Sequence, residues 1–157
     1  IQKELGITTI FVTHDQDEAM VMSDMIHLLS AGYVEQSGTA IDLYARPRTL
    51  FAATFIGNYT ILPAADFSKA TAETVDCQNV AIRPEIVHMD RQPAEDPDQY
   101  HLQGSILSSF CHGNIMRYSV KSGSILINAD QIYEGGEPLQ EGEQVFLSIK
   151  KDAVVEL

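Results

Sequence analysis

The sequence predicts a mainly β fold, in which a small β-barrel over residues 63–157 follows an incomplete α/β segment over residues 1–62. The run Ile7–Val12 is apolar and β-branched without alternation, which is typical of a strand buried on both faces of a parallel sheet. Such a sheet needs further strands and crossover helices, and none precede Ile7 here. After Pro63 the pattern changes to short strands divided by glycine-containing turns, which favours a small barrel. We therefore expect the chain to be part of a larger protein.

Local capping and turn signals place the elements of the first segment. Asp15 is expected to cap a helix that ends near Met22. Glu18 is at the third helical position, where an acidic side chain commonly accepts a hydrogen bond from the backbone N–H of the cap residue. The remaining predicted elements are a β-hairpin of residues 25–29 and 33–36 around a glycine-containing turn, a helix capped by Thr39 with Asp42 and ended by Pro47, and a helix of residues 49–56 ended by Gly57 in the left-handed conformation.

The second segment contains seven strand candidates over about 95 residues. The stretch Asp90–Gln99 has two prolines and four acidic residues, which indicates a solvated loop. An OB-like barrel fits this pattern. The acidic loop separates the second strand candidate from the third, and the turn His112–Asn114 separates the third from the fourth. The strand candidates are residues 80–83, 86–89, 100–111, 115–120, 125–129, 145–150 and 154–157.

Composition excludes several classes of protein. The chain has 157 residues, 45% of them hydrophobic, and a net charge of −12, so it contains enough apolar residues for a core. Residues 1–62 carry three basic against seven acidic residues and residues 63–157 carry seven against fifteen, so neither segment offers a basic face for nucleic acid. No apolar run approaches the roughly 20 residues of a membrane span. We expect a soluble, unexported protein whose two cysteines are reduced thiols.

His14 is the strongest candidate for chemistry, because it follows the predicted strand Ile7–Val12 at its carboxyl end. A histidine there is in a position to hydrogen-bond a phosphate, and the alternative is that its ring only caps the strand end. A metal site is not expected, since His88, His101, His112, Cys77 and Cys111 have irregular spacing and adjacent strand residues face opposite sides. The pair Gly135–Gly136 lies between acidic residues and before Pro138, which indicates a turn rather than a phosphate loop.

The motifs of the chain resemble those of one protein family. The stretch Thr8–Met20 is similar to the switch-histidine segment, or H-loop, of ATP-binding cassette (ABC) transporter ATPases, in which a hydrophobic strand precedes T-H-D-x-x-E-A. Residues 80–85, Val-Ala-Ile-Arg-Pro-Glu, resemble the signature of the transport-associated OB (TOBE) domain. Between these two stretches lie further motifs like those of importer ATPases, at residues 22–24, 38–39, 43–44, 47, 51–52 and 55–57.

The resemblance implies roles for single residues. In the intact protein His14 would contact the γ-phosphate of ATP, Thr13 and Asp15 would support its loop, and Gln16 and Glu18 would lie near the subunit interface. Arg83 and Glu85 are a second candidate interface pair, although a turn with paired side chains is a better explanation of Arg83-Pro84-Glu85 than a ligand site. ATP and Mg would be the cofactors of the intact parent. The chain itself lacks the Gly-Lys-Ser/Thr phosphate loop, the signature motif and the catalytic glutamate, so we expect it to bind no cofactor and to have no enzymatic activity alone.

The resemblance also implies partners: a homodimer, and transmembrane permease subunits that hold the protein at the cytoplasmic face of the cell membrane. A regulatory protein or a small oxyanion is a further possible partner of the barrel. Two alternatives stay open, a stand-alone oxyanion or small-ligand sensor and, less compatible with the acidic charge, a single-stranded nucleic-acid binder. Departures from the family pattern at Met25 and Ala40 leave the transported substrate undefined. The candidate oxyanion ligands are Ser105, Ser108, Ser109, Ser119, Ser122 and Ser124.

Overall fold

The computed structural model describes residues 6–157 of the chain. Contacts between residues divide the chain into two compact units, one that ends at Pro47 and one that spans Arg48–Leu157. Residues 48–62, which the sequence groups with the α/β segment, belong to the second unit in this division. The domain boundary after residue 62 stays a prediction.

The first unit is built on a β-hairpin. Its turn places Ala31 at φ 49° and Gly32 at φ 86°, and two consecutive positive φ angles match the twist of a two-residue hairpin. The predicted capping residues are confirmed for both helices of this unit. The elements are helix α1 (Gln16–Met22), strands β1 (Ile26–Ser30) and β2 (Tyr33–Gly38), which pair antiparallel, and helix α2 (Ala40–Ala45).

The prediction of a buried strand at Ile7–Val12 is wrong. The structure forms no strand there, and the side chains of Ile10 and Val12 are 92% and 88% exposed. A strand requires a partner for its backbone hydrogen bonds, and no strand in the described part of the chain pairs with this run. The apolar sequence is therefore present without the sheet that it was predicted to enter.

The second unit is mainly β, as predicted. Two helices accompany its strands, α3 (Leu50–Ile56) and α4 (Ala64–Thr71). The strands are β3 (Thr60–Pro63), β4 (Asn79–Ile82), β5 (Val87–Asp90), β6 (Gln99–His112), β7 (Ile115–Ser122), β8 (Ile125–Ile132), β9 (Gln144–Lys150) and β10 (Val155–Glu156).

These strands form two antiparallel sheets, one of order β10-β4-β3 and one of order β5-β9-β6-β7-β8. The larger sheet curls into a half-barrel, so that its two edge strands approach each other. Gln131 on β8 donates a side-chain hydrogen bond of 3.1 Å to the carbonyl of Met89 on β5. Side chains of both sheets form the core, in which Val80, Ile82, Val120, Ile127 and Ile149 are fully buried.

Two details of this unit differ from the sequence prediction. Helix α4 was not predicted, because the helical spacing of its apolar residues is short and lies in the segment after Pro63 that is assigned to strands and turns. Ala64, Phe67 and Thr71 are buried along one helical face, and the ring of Phe67 packs edge-on against Tyr100 with centroids 5.0 Å apart. Gly57 ends α3 in an extended conformation with φ −131°, so the expected left-handed residue is absent there.

Candidate functional site

The loop that carries His14 is organised by the hydroxyl of Thr13. Its Oγ1 accepts a hydrogen bond of 3.0 Å from the backbone N–H of Asp15 and donates one of 2.8 Å to Oε2 of Glu18. Asp15 caps α1, since its Oδ1 accepts a 3.0 Å hydrogen bond from the backbone N–H of Glu18. These three bonds tie both neighbours of His14 to the first turn of the helix.

His14 is exposed on this loop. An imidazole presents two nitrogens, of which one donates and one accepts in the neutral ring, so an exposed histidine is able to hydrogen-bond a phosphate oxygen. Of the two predicted interface residues beside it, Gln16 is half-buried and Glu18 is exposed. The structure thus brings Thr13, Asp15 and Glu18 together around His14.

Arg83 and Glu85 lie in the second unit, at a turn of 3-10 helix that spans Pro84–Ile86. Their side chains pair, with 3.7 Å between Nη1 of Arg83 and Oε1 of Glu85. This confirms the predicted turn with paired side chains, and the interface role of the two residues stays a prediction. Burial raises the pKa of the neighbouring Tyr59 to about 12, while the charge of Arg83 lowers that pKa and the charge of Glu85 raises it.

An open pocket of about 360 Å³ lies beside this turn. Sequence reasoning missed it, because its walls come from α3, β3, β7 and β8. The sequence signal that could have indicated this pocket is the alternation of polar residues on β7 and β8. On these strands Arg117 binds Asp130 through two hydrogen bonds of 2.7 and 2.6 Å. The lining residues are Thr54, Gly57, Asn58, Tyr59, Ile61, Pro84, Arg117 and Asn128.

Two of the six serines that are candidate oxyanion ligands make side-chain hydrogen bonds within the fold. Ser119 Oγ donates to Oδ1 of Asn128 at 2.8 Å, and Ser122 Oγ donates to the carbonyl of Gln103 at 2.8 Å. Among residues 6–157, no group of three or more His, Cys, Asp or Glu side chains is arranged to hold a metal ion. None of the helices described for this chain is long and apolar enough to cross a membrane.

Comparison with known proteins identifies those to which this chain is similar. The model of the TOBE domain matches residues 80–157, which cover the strands from β4 to the C-terminus. The spermidine/putrescine import ATP-binding protein PotA of Bacillus thuringiensis (strain Al Hakam) is 37% identical over 161 aligned residues, which are all of this chain and 45% of that protein. The chain thus spans about half the length of this relative.

Two further proteins show similarity over different extents of the chain. The sn-glycerol-3-phosphate import ATP-binding protein UgpC of Ruegeria pomeroyi is 54% identical over 72 residues, which are 46% of this chain and 19% of that protein. Among solved structures, the molybdate-bound cytoplasmic protein ModG has a TM-score of 0.44 and 12% identity, over 57% of this chain and 68% of that chain. Over its whole length the chain is similar to the C-terminal part of import ATP-binding proteins of ABC transporters, and its residues 80–157 match the TOBE domain.

Proposed function

We propose that this chain is the C-terminal region of a subunit that couples ATP binding and hydrolysis to the uptake of a solute. The observation that carries the proposal is the similarity, at 37% identity, of the whole of this chain to 45% of an import ATP-binding protein. The loop geometry supports it, because His14 is exposed between two residues whose backbone or side chain is held by hydrogen bonds. An exposed imidazole on a loop restrained in this way is suited to contact the terminal phosphate of ATP, whose transfer depends on positioning and charge stabilisation.

The TOBE domain is proposed as the regulatory and dimerisation region of this subunit. Its curled sheet has a continuous core, so it provides a stable platform that does not depend on the nucleotide site. The subunit would act as a homodimer with Mg and ATP, and permease subunits would hold it at the cytoplasmic face of the membrane. The names of the relatives, both import ATP-binding proteins, support the roles in ATP binding and import. Without the remaining ATP-site motifs, the chain by itself is proposed to be inactive.

The exposed apolar side chains of the first unit also support the proposal. Ile10, Val12, Val21, Tyr33 and Ile41 are each more than three-quarters exposed, and large exposed apolar surfaces commonly mark sites that a partner covers. A larger nucleotide-binding domain, to which these residues contribute one part, accounts for this surface.

ATP hydrolysis by the intact subunit tests the role of His14. The variant His14→Ala is expected to reduce kcat by roughly 10²-fold or more, the scale of losing one group that stabilises charge in a transition state. The matched control is His112→Ala, because His112 is an exposed histidine at the end of β6, and it should hydrolyse ATP at the wild-type rate. Equal rates for His14→Ala and wild type would contradict the proposed function.

A further inference from the structure

The first turn of α1 departs from the capping pattern that the same chain uses in α2. In α2 the third-position residue Asp42 closes a full capping box, since its Oδ2 accepts from the backbone N–H of the cap residue Thr39 at 3.2 Å. In α1 the corresponding residue is Glu18, but the N–H of the cap residue Asp15 is bonded to Thr13 Oγ1 instead. The carboxylate of Glu18 is thereby directed to Thr13, which precedes the helix.

This difference matters because of where His14 lies. The hydrogen bond from Thr13 Oγ1 to Glu18 Oε2, at 2.8 Å, spans residue 14 in sequence. The cap of α1 does not require that bond, because Asp15 Oδ1 already accepts the N–H of Glu18. The acceptor is a carboxylate, and hydrogen bonds to charged acceptors are shorter and stronger than neutral ones. The bond therefore restrains the loop on the N-terminal side of His14, while Asp15 restrains it on the C-terminal side.

We propose that Thr13 and Glu18 are positioning residues for His14, and that their hydrogen bond holds the imidazole where it meets the terminal phosphate of ATP. The proposal rests on the proposed function of the chain. It assigns the carboxylate of Glu18 to the loop of its own subunit rather than to a subunit interface. Small misplacements of a group at a reacting centre lower rates strongly, so a loop restraint of this kind is expected to act on kcat more than on the binding of ATP.

The test uses ATP hydrolysis by the intact ATP-binding subunit, with kcat and KM measured separately. Thr13→Val removes the hydroxyl but keeps the shape of the side chain, and Glu18→Ala removes the acceptor. Each is expected to lower kcat about tenfold, with KM for ATP within about twofold of wild type. Thr13→Ser restores the hydroxyl and should return kcat to near the wild-type value. The control Asp17→Ala removes an exposed first-turn carboxylate that lies outside the three-bond network and should leave kcat unchanged.

Two combinations separate positioning from a merely structural role. Because both residues act through one bond, the double variant Thr13→Val/Glu18→Ala should lose no more activity than either single variant. Because the bond acts through His14, Thr13→Val should have no further effect on the residual activity of His14→Ala.

The outcomes distinguish this inference from the proposed function. If His14→Ala loses activity but Thr13→Val keeps the wild-type kcat, the positioning role is overturned and the function of His14 stands. A tenfold loss from Thr13→Val in the His14→Ala background, or a loss from Asp17→Ala equal to that from Glu18→Ala, also overturns it. Wild-type turnover by His14→Ala overturns the proposed function and the positioning role together.

Discussion

The pKa of Tyr59 shows how burial and nearby charges act on a single residue of the second unit. Burial raises its pKa to about 12 from an ordinary value of 10.0, and the nearby charges of Arg83 and Glu85 act in opposite directions on it. The neutral phenol is therefore favoured in the folded chain. The residue lines the pocket beside the Arg83–Glu85 turn, so its ionisation reports on that pocket.

We expect the stability of the chain to fall between pH 10 and about pH 12 through Tyr59. A group whose pKa is raised by folding contributes its full stabilisation below its unfolded pKa and loses it as the pH rises through the folded value. Tyr59→Phe removes this contribution and should flatten the decline of the thermal unfolding midpoint with pH. Tyr100, whose pKa is also raised by burial, leaves part of the decline in place.

The control for this experiment is Tyr33→Phe, because Tyr33 is 77% exposed on the hairpin of the first unit. It should retain the wild-type dependence on pH. Equal slopes for Tyr59→Phe and Tyr33→Phe would show that Tyr59 is not protected by burial.

Among the elements, β8 shows how alternation along one strand separates the core from the surface. Ile127 is fully buried in the core cluster, whereas the adjacent Leu126 is 44% exposed. The strand pairs with β7 on one side, and on the other side its Gln131 bridges to β5. β8 is thus the strand at which the half-barrel approaches closure.

Ile127→Ala should lower the free energy of unfolding by about 2–5 kcal/mol, because it removes buried methyl groups and leaves a cavity. The neighbouring exposed substitution Leu126→Ala should change it by no more than about 0.5 kcal/mol. Equilibrium unfolding in denaturant measures both. A loss from Leu126→Ala as large as that from Ile127→Ala would mean that the outer face of β8 is covered.

The elements also show which parts of the fold the sequence was able to predict. The hairpin turn at His112–Asn114 and the caps at Asp15 and Thr39 were predicted because their signals are local. The run Ile7–Val12 was assigned wrongly, because a strand depends on partners that the run itself does not encode. His14 was identified from its motif, but the bond between Thr13 and Glu18 depends on side-chain conformation. The pocket around Tyr59 was missed because separate segments form it.

At the scale of the whole molecule, the acidic net charge and the exposed apolar side chains have opposite effects on association. The net charge of −12 favours solubility, yet the unit that ends at Pro47 exposes Ile10 and Val12 almost completely. Large exposed apolar surfaces commonly mark sites where another chain associates. The chain therefore combines a well-packed TOBE domain with a unit whose apolar surface favours association.

We expect the isolated chain to self-associate, with the run Ile7–Val12 in the contact. Light scattering across a range of concentrations should give a mass above that of the monomer, and Ile10→Asp/Val12→Asp should shift it toward the monomer. Leu126→Asp, an equally drastic change at an exposed position of β8, is the matched control and should not. A monomer at every concentration would count against this expectation.

The proposed assignment to the ATP-binding subunits of ABC importers is tested most directly by the nucleotide sequence of the gene upstream of the codon for Ile1. In the same reading frame, we predict a Gly-x-x-x-x-Gly-Lys-Ser/Thr motif, whose backbone amides and lysine hold the phosphates of ATP. A start codon close upstream, with no such motif between it and Ile1, would contradict the assignment and favour a stand-alone sensor.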